Sequence, residues 1–495
     1  MSKLTVIQNE VKREVEFIAP RPLGEVLIEC GFLYESPCGG RGMCKKCSVQ
    51  LSGEVSEPNE CEKSANTRLI CQAVLLGDAC AILPKKEEMH VIETDAQFLK
   101  KPLKPMEGKY GGAVDIGTTT VALKLFELET GRIIGESACV NPQNAVAADV
   151  MGRINAAMSG RLAEQRELIL GAIDGLLNDA CKAGGIRKKD VGAMVAAGNT
   201  TMLYLLCGID PKSLARYPFI SETLFDVYVK VLGIRTFLPP CMNAFVGADI
   251  TCAVLLSGMT QDKNKTSLLC DIGTNGEIAL YKDGTLYVTS TAAGPAFEGA
   301  GIECGTGSIL GAVDRVFAED GKLNVHTIGD MPATGICGSG IIDAVSAMRQ
   351  LELIDETGAM DDDKIELSNG VYVSDKDIRA VQLAKAAIAA GIKTLLKRAE
   401  ADVSDVDVLY IAGGFGSHLD AKSAADIGMI PPELADRIKV MGNAALAGAA
   451  SLLLNTASID EARAIAEKTV HVNLGGDALF NELYVENMLF MDEEL

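Results

Sequence analysis

Val114-Asp115-Ile116-Gly117-Thr118-Thr119-Thr120 reads as a buried strand running into a glycine turn, and Leu268-Leu-Cys-Asp271-Ile-Gly273-Thr274-Asn275-Gly-Glu277 repeats the device in the second half of the chain. A strand-terminal Asp can hold Mg2+ or its water shell, while the glycine lets backbone N–H groups and Thr hydroxyls approach phosphate oxygens. Asp115 and Asp271 are therefore read as facing magnesium-side acids. Gly117, Thr118, Thr119 and Thr120 are expected on phosphate from one side, and Gly273, Thr274 and Asn275 from the other. One Asp-x-Gly-Thr is common at any tight strand turn; a matched pair is far more specific.

Three further loops extend the pattern. Cys337-Gly338-Ser339-Gly340 opens a helical run, and Leu409-Tyr-Ile-Ala-Gly413-Gly414-Phe415-Gly416 closes a hydrophobic strand. The first offers a helix N-terminus to anions or ribose hydroxyls; the second leaves room for adenine or its sugar. Ala197-Gly-Asn199-Thr200-Thr201 ends another strand, with side chains expected to reach the terminal phosphate. Any one of the five loops is explained as an ordinary turn, but the set points to a nucleotide. From Gly111 onward, buried strands ending in Gly alternate with long amphipathic helices, the α/β pattern. Helix-forming sequence from Asp375 to Glu400, with Ser374-x-x-Asp377 as a capping box, reads as scaffold.

The front of the chain is different. In Ser36-Pro-Cys38-Gly-Gly-Arg-Gly-Met-Cys44-Lys-Lys-Cys47, three cysteines sit on a loop whose Gly39, Gly40 and Gly42 tolerate unusual backbone angles, and Cys71 stands alone beyond the strand-like Ser48 to Val55. This is ferredoxin-type spacing with one residue more in the first gap than the plant-type motif has, and it predicts an iron–sulfur cluster held by Cys38, Cys44, Cys47 and Cys71. Zinc is the alternative, but a zinc ribbon brings its cysteines as two close pairs. Cys30, Cys61 and Cys80 fall outside the spacing and read as buried core thiols.

A chain of 495 residues exceeds what one hydrophobic core usually supports. The expected division is a small β-rich ferredoxin-like domain over residues 1–90, a Lys- and Pro-containing linker over 91–108, and a two-lobed ATPase over 109–495 with lobes of about 109–260 and 261–495. Fifteen cysteines without a secretory leader fit a reducing cytoplasm. No apolar run reaches the length of a membrane span. A net charge of −21, with 5% aromatic residues and no Trp, disfavours nucleic acid and anionic membranes as partners.

The ordered set Asp-Ile-Gly-Thr-Thr-Thr, Gly-Asn-Thr-Thr-Met, Asp-Ile-Gly-Thr-Asn-Gly-Glu, Gly-Pro-Ala-Phe-Glu-Gly-Ala, Cys-Gly-Ser-Gly and Gly-Gly-Phe-Gly resembles the acetate and sugar kinase, Hsp70 and actin superfamily. With the ferredoxin-like front end, nearly the whole chain resembles one branch, the reductive activators of corrinoid-dependent enzymes. The resemblance implies an actin-like, ribonuclease H-like ATPase fold, with a [2Fe-2S] cluster, ATP and Mg2+ as cofactors. The implied reaction is ATP-coupled, one-electron reduction of cob(II)alamin to cob(I)alamin. A corrinoid protein of a methyltransferase or O-demethylase system and an upstream low-potential electron donor are the implied partners, with a homodimer left open. Glu277 or Glu298 is expected to orient water. The short 91–108 segment implies that a domain found in relatives between cluster and ATPase is missing. The loop Phe297 to Cys304 is expected to face either nucleotide or corrinoid partner, and His418 to be a surface histidine. Two other functions stay open: an ATP-driven electron donor to an enzyme such as a 2-hydroxyacyl-CoA dehydratase, and an Hsp70-like clamp with a redox-sensing cluster.

Overall fold

The computed structural model describes residues 1–8, 11–30, 32, 34, 42, 47–62, 68–84, 102–413 and 419–490. The N-terminal unit is a six-stranded sheet ordered β2-β1-β4-β3 along its main path, built from β1 (Ser2–Gln8), β2 (Val11–Phe17), β3 (Ser48–Val55) and β4 (Val74–Ile82); Arg68–Leu69 pairs with β3 and Arg21–Pro22 with β4. Alternation sends Leu4 and Val6 of β1 and Leu75, Ala79 and Ala81 of β4 to one face, where helix α1 (Leu23–Glu29) lays Leu23, Val26 and Leu27 over them. Cys30, Cys61 and Cys80 are only half-buried, which corrects their reading as core thiols. Their positions at a helix end, a turn and the outward face of β4 keep them off the inner face of the sheet.

Two larger sheets follow; five of the six strands in each share one topology, and the sixth is added at opposite edges. In the first, β5 (Tyr110–Ile116), β6 (Thr120–Glu127), β7 (Arg132–Val140), β8 (Val191–Gly198), β9 (Val227–Val231) and β10 (Ile234–Leu238) take the order β9-β10-β8-β5-β6-β7. In the second, β11 (Thr266–Ile272), β12 (Gly276–Lys282), β13 (Thr285–Thr291), β15 (Val406–Ala412), β16 (Ile438–Gly442) and β17 (Thr469–His471) take the order β16-β15-β11-β12-β13-β17; β14 (Ala312–Glu319) belongs to a separate small sheet. In each half the glycine-turn strand pairs antiparallel with its successor and parallel with a later strand. Strands buried on both faces, such as Leu268, Leu269 and Cys270, need the unbroken apolar run that the sequence shows.

Helices α5 (Ala248–Ser257) and α9 (Ala444–Leu454) lie between the halves, and their Ile250, Val254, Leu446 and Leu453 join residues of both sheets in one core. The crossing is close: a Cβ on Gly448 would stand 2.2 Å from the Cys252 carbonyl oxygen. Outer faces are covered by α3 (Leu162–Ala183), which follows the short α2 (Val150–Ala156), and α4 (Thr200–Cys207) in the first half. In the second half they are covered by α6 (Gly338–Gln350) and by α7 (Asp375–Arg398), whose Ser374–Asp377 capping box is formed. At the end of the expected linker, Lys104 and Met106 donate backbone N–H groups to Leu454 and Leu453 at the end of α9. Residues 85–101, which take in 91–101 of that linker, lie outside the described residues. No helix among the described residues is long and apolar enough to cross a membrane.

Candidate functional site

Register brings the loops together. Asp115 of β5 is level with Ala197 of β8, Asp271 of β11 with Ala412 of β15, and Ala412 with Gly442 of β16. The turns after parallel strands thus gather at their carboxyl ends, where open α/β sheets form binding crevices.

The two glycine turns meet across the crevice. Thr119 Oγ1 lies 3.4 Å from Thr274 Oγ1, and both hydroxyls donate to Glu298 Oε2, at 2.5 and 2.7 Å. The Thr274 backbone N–H donates to the other carboxylate oxygen at 2.9 Å. Glu298 is presented by the turn Pro295–Glu298, whose flanking Gly294 and Gly299 have φ of +80° and +75°. Phe297 and Ile302 are buried beneath it, so in the Phe297 to Cys304 loop it is Glu298 that reaches the crevice. Thr118 Oγ1 accepts the Asn199 side-chain amide at 3.1 Å, while Thr120 pairs with Val140 at the start of β6. Gly413 has φ +94°, and a Cβ there would meet Asp271 Oδ1 at 2.8 Å, so the backbone passes directly beside that acid.

Two expected contacts turn inward instead. Thr200 is fully buried as the first residue of α4, and its hydroxyl donates to the Asn243 carbonyl at 2.6 Å, which corrects its reading as a phosphate contact. Ser339, behind Gly338 in the first turn of α6, donates to the Asp314 carbonyl at 2.9 Å; its hydroxyl ties α6 to β14 and is not turned to ligand. Gly414, Phe415 and His418 lie outside the described residues.

Carboxylates crowd the crevice. Asp271 and Glu277 face each other on the β11–β12 ladder, and Asp249, in the first turn of α5, acts on both. Burial first, then the charges of Asp249 and Glu298, pushes Asp271 up to about 7; burial alone pushes Asp249 up to about 6 against several backbone N–H groups. Glu277 is raised well above the usual carboxylate range by burial and then by Asp249 and Asp271. Like charges sharing a buried site favour protonation until a cation arrives. Among the described residues no three His, Cys, Asp or Glu converge closely enough to bind a metal directly. Asp115 accepts the Asn443 side-chain amide at 3.0 Å, and Asn443 also caps α9.

A 160 Å³ cavity lies between α6, β14 and α8 (Ala421–Asp426), lined by Arg315, Asp343, Ser346 and Ser423. Asp343 is 4% exposed and its Oδ1 has no hydrogen-bond partner. Burial, then the charge of Asp420, raises it to about 6, against a hydrogen bond with Ser423.

In the N-terminal unit, Cys38 and Cys44 lie outside the described residues. The other two predicted ligands come together: Cys47 is 3% exposed, and its Sγ is 3.3 Å from that of Cys71. The Cys47 hydrogen bond is the largest influence lowering Cys71 to about 6, with burial opposing it and Gln72 and the Gly42 backbone assisting. Gly42 has φ +72°, as the loop reading requires. The Cys71 segment is braced by a buried ion pair, Arg68 Nε to Glu62 Oε1 at 2.9 Å, with Glu62 also accepting the Leu69 N–H. This donor set fits a thiolate-held cluster.

Asp249, Asn443 and Asp343 escape sequence reasoning, although Gly442-Asn443 before α9 duplicates Gly198-Asn199 before α4 and offers a signal.

Comparison with known proteins gives two family matches: the RACo middle region over residues 110–262, and the C-terminal domain of RACo, the ASKHA domain, over 265–495. The middle-region match falls on the residues read as the first lobe, and the ASKHA match on those read as the second. The corrinoid activation enzyme RamQ of Eubacterium limosum is 30% identical across 97% of this chain and 98% of its own. The Co(II) methylated amine-specific corrinoid protein reductase of Methanosarcina barkeri is 25% identical across 76% of each chain. The solved structure of a reductive activator for corrinoid,iron-sulfur protein superposes with a TM-score of 0.75 at 26% identity over 98% of both chains.

Proposed function

The chain belongs to the family of RACo-type reductive activators of corrinoid proteins, and we propose that it carries out ATP-dependent one-electron reduction of cob(II)alamin to cob(I)alamin on a partner corrinoid protein. The observation that carries the reading is the convergence of Thr119 and Thr274, one from each half, on the Glu298 carboxylate. Two strand-turn devices facing across a crevice suit a phosphate chain gripped from both sides.

In this reading the turns at 117–119 and 273–275 bind the phosphates. Asp115 and Asp271, with Asp249, would hold Mg2+ or its water shell. Glu298 orients the attacking water, and Glu277 sets the charge of Asp271. The nucleoside end extends past Gly413 toward the Asp343 cavity, where an unpaired carboxylate oxygen accepts from an amino or hydroxyl group. Cys38, Cys44, Cys47 and Cys71 would hold a [2Fe-2S] cluster, which supplies electrons one at a time. Of the described pair, the Cys47 sulfur is buried and that of Cys71 is hydrogen-bonded, features that tune potential. A corrinoid protein of a methyltransferase or O-demethylase system, a low-potential electron donor, and homodimeric assembly in the cytoplasm complete the proposal. Closure of the two halves on ATP is the step that couples nucleotide to electron transfer.

The test is anaerobic absorption spectroscopy of a cob(II)alamin-loaded corrinoid protein mixed with the reduced chain, with and without MgATP. The cob(I)alamin band is expected only with MgATP. Its absence with methyltransferase and O-demethylase corrinoid proteins alike, despite a reducible cluster and measurable ATPase, overturns the reading.

A further inference from the structure

We propose that Arg153 is a positioning residue for the nucleotide phosphates, a buried cation that fixes the Gly117–Thr119 turn from behind and lends it positive charge; the inference rests on the nucleotide reading given above. Arg153 lies on α2 and is completely buried. Its five N–H groups meet five acceptors. Nη2 donates to the Thr118 carbonyl and to Asn144 Oδ1, both at 2.6 Å; Nη1 to Gln143 Oε1 at 3.2 Å and Met202 Sδ at 3.0 Å; Nε to the Ala147 carbonyl at 3.0 Å. Every one of these acceptors is neutral. A guanidinium stripped of water and given no anionic hydrogen-bond partner is costly, and structures keep such groups where their charge has a use. Burial lowers Arg153 to about 9, with Asp149 and Glu298 acting against it, so the group remains charged at neutral pH.

The turn shows the use. The Gly117 carbonyl accepts the Asn141 side-chain amide at 2.8 Å, the Thr118 carbonyl accepts Arg153, and the Thr119 carbonyl accepts the Asn141 backbone N–H at 2.7 Å. Across a planar trans peptide the N–H points opposite its carbonyl. Drawing the carbonyls of 117 and 118 backward therefore turns the N–H groups of Thr118 and Thr119 away from Arg153, the geometry of an anion-binding nest. Asn141 and Arg153 set the shape, and Arg153 alone adds charge.

The experiment measures affinities of the full-length chain for adenosine, ADP and a non-hydrolysable ATP analogue, in wild type and in Arg153→Met, Arg153→Lys and Asn144→Ala. The expected result for Arg153→Met is a loss of about tenfold or more for the analogue, a smaller loss for ADP, and adenosine unchanged within about twofold. Arg153→Lys is expected to recover part of the loss by keeping charge without the fork. Asn144→Ala, which leaves α2 and its arginine in place, is expected to show the same phosphate-dependent pattern in weaker form and serves if Arg153→Met does not fold. Equal losses for adenosine and the analogue in every folded variant would mean that Arg153 only holds the fold, and unchanged affinities would equally overturn the proposal. A wild-type chain that binds none of the three overturns the nucleotide reading and this inference with it, an outcome distinct from both.

Discussion

Asp271 and Glu277 stand directly opposite one another on the antiparallel β11–β12 ladder, two carboxylates on one buried rung. Like charges so placed repel and favour protonation, and Asp249 adds to the repulsion.

Stability should therefore fall with rising pH. Asp271, at about 7 in the folded chain, lies above its unfolded value of about 3.9, so the folded state binds the extra proton between those values. Its contribution is fully present below the unfolded value and is lost as pH rises through about 7. The difference in melting temperature between wild type and Asp271→Asn, measured from pH 4 to 8 without divalent cation, should shift against wild type across that window. MgATP should flatten the shift. A difference that stays level with pH sinks the assignment.

The brace beside Cys71 should be essential to the N-terminal unit. Glu62→Gln leaves the part-buried Arg68 without its counter-ion, at a cost of roughly 1–3 kcal/mol. Visible iron–sulfur absorbance should bleach at lower temperature than in wild type, while ATPase activity of the remainder is retained. Bleaching at the wild-type temperature would show that the ion pair is dispensable.

Gly448→Ala tests the shared layer between the halves. Helix propensity alone favours alanine by about 1 kcal/mol, but its Cβ would collide with the Cys252 carbonyl and force α9 from α5, a cost of roughly 1–3 kcal/mol or more. Urea unfolding should show a lower midpoint. A higher midpoint would mean that the helices separate freely.

Asp343→Ala should weaken ATP binding about tenfold, leaving the iron–sulfur spectrum unchanged, because it removes a buried acceptor that has no hydrogen-bond partner in its cavity. Titration calorimetry reads this directly. Wild-type affinity in the variant would move the nucleoside elsewhere.

The fold was legible because its signals are local: two Asp-Ile-Gly-Thr turns, each on a strand that must be buried on both faces, and cysteines at ferredoxin spacing. The site was legible only where a residue acts on its own loop. Asn443 looks like a helix cap and is one; that its amide also reaches Asp115 depends on β16 lying beyond β15. Asp249 looks like an ordinary first-turn acid of α5, and its role follows from α5 pressing between two sheets. Arg153 looks like a surface residue of a short helix, since its burial is created by the Asn141–Ala147 turn folding over it. Thr200 misled for the opposite reason, a polar residue in a glycine loop whose hydroxyl is spent on Asn243.

The clasp at Glu298 also bears on how much ATP the protein needs. A phosphoryl group that reaches the hydroxyls of Thr119 and Thr274 takes the place of a carboxylate oxygen already bonded to both. Binding is then an exchange of one anion for another, and its net free energy is the small difference between two similar sets of hydrogen bonds. In the nucleotide reading such an exchange favours weak, readily reversed binding, so that the site would fill when ATP is plentiful and release the spent nucleotide as readily as it admits the fresh one.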